Sequence, residues 1–145
     1  MVRTRPGEQN GCKDRAVSAG RHECQNVGRK ALLLARRDGS GKIVYTAGQL
    51  ARDVDGNCVG KGDMRAQMEQ TLQNLDRCLK AAGATWADVV KTNTFVTDFD
   101  EFQKCGDIRM RYLGVATPTS TTVGVIRLAG PDFMIEIEGV AVVNS

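Results

Sequence analysis

The chain of 145 residues has a single histidine, His22. It falls in an irregular, basic stretch, so a Ser-His-Asp triad built around it would need firm support from the least patterned part of the sequence. HExxH, Walker and glycine-rich dinucleotide-binding patterns are absent. Gly39 and Gly41 flank a serine after an apolar run, but a strand rather than a helix follows, and a hairpin turn accounts for them. Five cysteines (Cys12, Cys24, Cys58, Cys78 and Cys105) are an odd number at wide spacings without a CxxC pair. They imply neither a disulfide framework nor a zinc site. Cys78 and Cys105 sit at apolar positions of helical patterns and are expected as reduced, buried thiols. Long apolar runs are also missing: the N-terminus has no signal-peptide core, and no segment approaches the roughly 18 apolar residues of a membrane helix. A reducing cytoplasm and no membrane contact are the expectation.

Charge is present but unevenly placed. The 20 Lys and Arg against 17 Asp and Glu leave a net +3, with Arg3, Arg5, Lys13, Arg15, Arg21, Arg29, Lys30, Arg36 and Arg37 all near the front of the chain. Without interleaved aromatics this basic front end reads as a solvated flank rather than a nucleic-acid arm. Residues 1–27 are expected to be an irregular extension, and 28–145 a single domain large enough to bury a core unaided.

Within that domain, Ala31–Ala35 and Lys42–Ala47 read as a hairpin around Arg37-Asp38-Gly39-Ser40-Gly41, and Gln49–Arg52 as a short edge segment. Met64, Met68, Leu72, Leu75, Leu79 and Ala82 recur at helical spacing, with Asp63 as N-cap and Gly83 as stop. Val89–Val96 reads as a strand. A second helix from about Asp100 carries Phe102, Cys105, Ile108 and Tyr112. Thr121–Ile126 and the alternating Phe133–Val143 supply two more strands. Too few crossover helices exist for a doubly wound domain. The order implies an α+β fold, a mixed sheet with two helices on one face, whose other face needs partner subunits as cover. On the last strand Glu136 and Glu138 share the non-Ile face, and Glu138 is expected to be solvated. If the last two strands pair, Glu136 reaches the hydroxyls of Ser120, Thr121 and Thr122, which would suit orientation of water or an amino group.

These segments carry a family likeness. Tyr45-Thr46-Ala47-Gly48-Gln49, Asn74-Leu75 to Ala82-Gly83, Asp88-Val89-Val90-Lys91-Thr92, Phe95-Val96-Thr97-Asp98, Phe102, Pro118, Val123, Arg127-Leu128 and Ile135-Glu136-Ile137-Glu138 together resemble the Rid family of enamine and imine deaminases. The resemblance runs from about Lys42 to Val143. It implies a chorismate-mutase-like (YjgF-type) layered fold, a homotrimer with clefts between subunits, and cofactor-free hydrolysis of small enamines or imines to ketones and ammonia. It makes Glu136 the water-positioning carboxylate and Gly48 the glycine whose backbone lines the pocket, with Ala47 in place of a usual serine. Three departures stand out. Ser120 occupies the place of the arginine that clamps the substrate carboxylate, Gly106 falls where an asparagine is common, and the N-terminal glycine-proline-tyrosine-serine signature is absent. A hydroxyl cannot reproduce a guanidinium fork. Arg127, Arg109 and Arg111 are candidates to replace it. Branches of the family without the arginine include amino-muconate deaminases, so an unsaturated amino dicarboxylate is the expected substrate class. The predicted site is therefore Glu136, Ser120 and Thr121 for catalysis, with Ala47, Gly48, Thr122 and Arg127 for binding. The alternative is a non-catalytic metabolite-binding oligomer.

Overall fold

The computed structural model describes residues 33–37, 41–114 and 116–144. The extension 1–27 with His22, Cys12 and Cys24, and the turn at 38–40, lie outside the described residues.

Strands β1 (Leu33–Arg37) and β2 (Gly41–Thr46) form the expected antiparallel hairpin. The short β3 (Gln49–Leu50) follows. The helical stripe becomes α1 (Met64–Ala81), and the Asp63 carboxylate caps it by accepting from the Ala66 N–H at 3.1 Å. Gly83 ends it at φ +70°, a conformation that favours glycine. Thr85 and Asp88 then cap a single turn of 3₁₀ helix, Trp86–Asp88, which leads into β4 (Val89–Val96).

The predicted second helix is two helices, α2 (Phe99–Gln103) and α3 (Gly106–Leu113). Cys105, at φ −104° and ψ 14°, leaves the helical path, and Gly106 beside it is a weak helix former. The apolar stripe survives the break: Cys105 and Ile108 are buried, with Phe102 and Tyr112 packed against the same cluster. Strands β5 (Thr119–Gly124) and β6 (Ile135–Asn144) complete the chain.

The sheet runs β1-β2-β6-β4-β5, with β3 also on β6. All neighbours are antiparallel except β4 and β5. The last two strands therefore do not pair, contrary to the expectation from sequence. A parallel pair needs a crossover, and α2 and α3 supply one between β4 and β5. This leaves the other edge of β4 to β6. The short edge segment expected at Gln49–Arg52 is β3, whose Gln49 and Leu50 pair with Ile137 and Glu136 on one side only and are both buried.

The core lies between the sheet and the helices. Ile135 and Ile137 of β6 pack with Met64, Met68, Leu72 and Leu75 of α1 and with Cys105 and Ile108. Fully burying such an aliphatic side chain contributes about 2 kcal/mol. Alternation along β6 sends Glu136, Glu138, Val140 and Val142 to the opposite face, which no helix of the described chain covers. Tyr45 and Val142 remain 46% and 36% exposed there.

Helix α1 also buries a polar row that the apolar stripe did not announce. Gln67, Thr71 and Asn74 are at most 1% exposed. Gln67 Nε2 donates to the carbonyls of Gly60 (3.1 Å) and Asp132 (2.7 Å), while its Oε1 accepts from the Met134 N–H at 2.8 Å. Asn74 Nδ2 donates to the carbonyls of Leu50 and Arg52, both at 2.9 Å. These side chains tie the loops to the helix through the loops' own backbone groups. Gln67→Leu keeps the volume but strips the Met134 N–H of its acceptor and the Asp132 carbonyl of its amide donor, while the Gly60 carbonyl keeps the Asp63 N–H at 2.9 Å. Denaturant unfolding should therefore show a loss of about 1–3 kcal/mol. A loss under about 0.5 kcal/mol would mean that water replaces the amide.

Candidate active site

The register around β6 builds the site. Tyr45 pairs with Val140 and Gln49 with Ile137; four steps along β2–β3 thus match three along β6. The additional residue makes a bulge at Ala47-Gly48. It brings the Gly48 backbone onto the Glu136 side chain. A Cβ on Gly48 would lie 1.9 Å from Glu136 Oε1 and 2.7 Å from its Cδ, so no residue with a side chain fits without moving the glutamate.

Glu136 sits between Leu50 of β3 and Phe95 of β4. It is half-buried at an open cleft of about 380 Å³ shared with Phe95, Val125, Arg127, Leu128 and Ala129. Burial raises its pKa, the neighbouring Glu138 raises it further, and Arg52 opposes both. Glu138 is held rather than simply solvated: Asn93 Nδ2 donates to its Oε1 at 2.8 Å. The pair edges a smaller hollow of about 100 Å³ with Tyr45, Thr46 and Lys91.

Of the residues expected from sequence, the fold brings Gly48, Glu136 and Arg127 together, with Ala47 beside them in the bulge; the Ala47 carbonyl accepts from Gln49 Nε2 at 3.0 Å. It does not bring the hydroxyls to Glu136 within one chain. Strand β4 separates β5 from β6, a spacing of about 10 Å. Ser120 and Thr122 pair with Thr92 and Thr94, whose side chains are buried on the helix side, and Thr92 Oγ1 donates to Ser120 Oγ at 3.1 Å. Thr121 shares the face of Glu136 but lies level with Asn93 and Glu138. Arg109 and Arg111 belong to α3, in the helical layer on the far side of the sheet. Arg111 is committed to Glu69 at 2.6 Å, whose other oxygen accepts from Tyr112 Oη, also at 2.6 Å.

Phe95 and Arg52 were not foreseen. No periodic signal marks the arginine, because Gln49, Leu50 and Ala51 are all buried and the chain bends at Ala51. Among the described residues no group of three or more His, Cys, Asp or Glu side chains is placed to hold a metal ion, and no helix is long and apolar enough to cross a membrane.

Two outcomes follow from the Gly48–Glu136 contact. In a double-mutant cycle, Gly48→Ala should destabilise less in a Glu136→Ala background, with coupling of about 1 kcal/mol or more; additive losses would place the clash elsewhere. Because the pKa of Glu136 is raised on folding, its contribution to stability is full below the unfolded value and falls as pH rises through the folded one. Glu136→Gln should therefore gain stability over wild type as pH increases through that range, and denaturation midpoints from pH 4 to 8 would detect it. A difference independent of pH would contradict the raised pKa.

Comparison with known proteins converges on one group. The family model Endoribonuclease L-PSP matches residues 36–143. A RutC family protein of Pyrococcus horikoshii is 34% identical over 102 residues, which are 70% of this chain and 80% of the relative. A 2-iminobutanoate/2-iminopropanoate deaminase of Dermatophagoides farinae is 32% identical over 104 residues, 72% of this chain and 80% of that protein. Among solved structures, E. coli TdcF with bound serine superposes with a TM-score of 0.66 at 27% identity, covering 84% of this chain and 95% of TdcF. RidA from the Antarctic bacterium Psychrobacter sp. gives 0.64 at 30% identity, covering 74% and 84%. The mixed sheet with its helices on one face is thus the chorismate-mutase-like YjgF fold, and the chain belongs to the Rid (YjgF-type) family of enamine and imine deaminases.

Proposed function

We propose that the protein is a deaminase that hydrolyses the imine, or the enamine after tautomerisation, of a small carboxylate. The observation that carries this reading is Glu136, a half-buried carboxylate with a raised pKa, held against the Gly48 backbone at the wall of a cleft that also exposes Arg127. A carboxyl group whose pKa lies closer to neutrality exchanges protons more readily at physiological pH than an ordinary glutamate. In the proposed sequence Glu136 first moves a proton from nitrogen to carbon, converting enamine to imine. It then orients water, whose oxygen bonds to the imine carbon while the nitrogen takes up a proton. Collapse of this carbinolamine forms the C=O bond, breaks the C–N bond and releases ammonia. The N–H groups of the bulge at Ala47-Gly48 and the Arg127 guanidinium serve the polar ends of the substrate. Ser120 in place of the usual arginine favours a substrate from the amino-muconate class, an unsaturated amino dicarboxylate.

The uncovered sheet face, with Tyr45 and Val142 exposed on it, supports assembly as a homotrimer with clefts between subunits. The edge strand β5 supports it too: five of its six residues are exposed. In such an assembly Thr121, on the same sheet face as Glu136, is the β5 hydroxyl that would serve a neighbour's Glu136, whereas Ser120 and Thr122 face the helix side. A cytoplasmic location accords with this metabolic role. RNA cleavage is less well supported despite the name of the family model, because the only histidine, His22, lies outside the matched residues 36–143. The second reading, a non-catalytic metabolite-binding module, draws support from the serine bound in TdcF.

Ammonia release from enzymatically generated 2-iminopropanoate and 2-aminomuconate separates the two. A deaminase should exceed the spontaneous rate, and Glu136→Ala should lower kcat about 10²–10⁴-fold. No acceleration by the assembled wild type on either substrate would leave the binding module.

A further inference from the structure

We propose that Arg52 is a carboxylate-binding residue of the Glu136 cleft and that, with Arg127 on the opposite flank, it fits the site to a ligand carrying a carboxylate at each end. The inference rests on the reading of this cleft as the substrate site, and it assigns the cationic contact that Ser120 cannot make.

Arg52 follows β3 after a bend at Ala51, where its N–H donates to the Leu50 carbonyl at 2.8 Å; Leu50 itself pairs directly with Glu136. The guanidinium stacks over the Phe133 ring at 4.5 Å, and Nη1 donates to the Gly56 carbonyl at 2.9 Å. One edge of the fork is thus fixed and its plane is set by the ring. No carboxylate among the described residues lies within ion-pair distance of it. The group is close enough to Glu136 to oppose the effect of burial on that carboxyl. Its backbone is anchored as well: the Arg52 carbonyl accepts from Asn74 Nδ2 at 2.9 Å and from Gln70 Nε2 at 3.3 Å, and Asn74 is itself buried. A guanidinium held in this way loses little freedom when it binds, which favours affinity and a defined geometry.

The placement of the two arginines favours a ligand with two acidic ends. Strand β6 lies between β3 and β4. Arg52 stands just beyond β3, on one flank of β6, whereas Arg127, on the connection after β5, lines the cleft on the β4 side with Phe95. The flanking strands are about 10 Å apart across β6, so the two cations address opposite ends of a ligand lying over Glu136. A monocarboxylate can engage only one of them. An arginine that merely clips the turn at Gly56 would not distinguish the two kinds of ligand.

Isothermal calorimetry on the full chain, with trans,trans-muconate and its monomethyl ester as probes, tests this. Wild type should bind muconate at least about tenfold more tightly than the half-ester, the order expected of one charge-assisted hydrogen bond. Arg52→Gln should abolish that preference. Arg52→Lys, which keeps the charge and most of the stem, should reduce it severalfold, and it carries the test if the Gln variant fails to fold or assemble. Thermal midpoints and oligomer mass report folding in each case. The assignment is overturned if wild type shows no preference or if a folded Arg52 variant keeps it in full. Ammonia release judges the deaminase reading separately. Turnover together with an Arg52→Gln variant of unchanged preference would sink Arg52 alone. Loss of the preference without turnover in wild type would retain Arg52 in a binding site that is not catalytic.

Discussion

Strand β6 is the constraint on which the rest of the molecule depends. It pairs with β2, β3 and β4, and its alternation divides the molecule into two chemical halves. Ile135, Ile137 and Ala141 go to the helices, and Glu136 and Glu138 to the opposite side. A one-residue slip would exchange the halves, setting carboxylates against Met68 and Leu75 and aliphatic side chains in water. The burial that fixes the register therefore also fixes the aim of Glu136. Stability and site geometry are one specification here.

The bulge before β3 converts that aim into an environment. A regular ladder would have carried β2 straight along β6. The additional residue at Ala47-Gly48 instead lays bare backbone against the glutamate. The missing Cβ lets the carboxylate settle where water is partly excluded, and Glu138 adds like charge two residues away. Both push the proton affinity upward, and Arg52 restrains the rise. The Glu136 environment thus takes its acid–base character from three features: a glycine, a strand period of two, and an arginine whose guanidinium is held by Phe133 and the Gly56 carbonyl.

How much of this was legible depended on whether the signal was local. Helix α1 was, since Asp63, the Met64–Leu79 stripe and Gly83 are each adjacent to what they determine. The likeness around Gly48 and Glu136 likewise pointed to the two residues that do touch. Strand order was not legible. The alternation of β5 and β6 fits pairing with each other as well as with β4, and only the α2–α3 crossover decides between them. That one ambiguity put Ser120, Thr121 and Thr122 beside Glu136 on paper, whereas Ser120 bonds Thr92 on the helix side. The break at Cys105 and the buried Gln67–Asn74 row were hidden for a related reason. Polar residues on a helix look solvated until the loops they hold are in place. Arg52 is the same kind of case, because its role depends on Phe133 and Glu136, which lie some eighty residues later in the chain.

The departure at Ser120 has a physical consequence for how such a site can work. A guanidinium brings its own charge wherever it stands, but a hydroxyl only adds a dipole to a field set by others. With serine on β5, the field over the cleft comes from Glu136, Glu138, Arg52 and Arg127, and its strength depends on how much water remains there. Any subunit that covers the sheet face bearing Tyr45 and Val142 also removes water from around Glu136. It strengthens every one of these interactions and moves the glutamate further in the direction that burial within the single chain has already begun. Among the described residues the helices lie on one side of the sheet only, and the bare face is the one that carries the carboxylate, so a partner bound there would couple assembly to the acid–base readiness of Glu136.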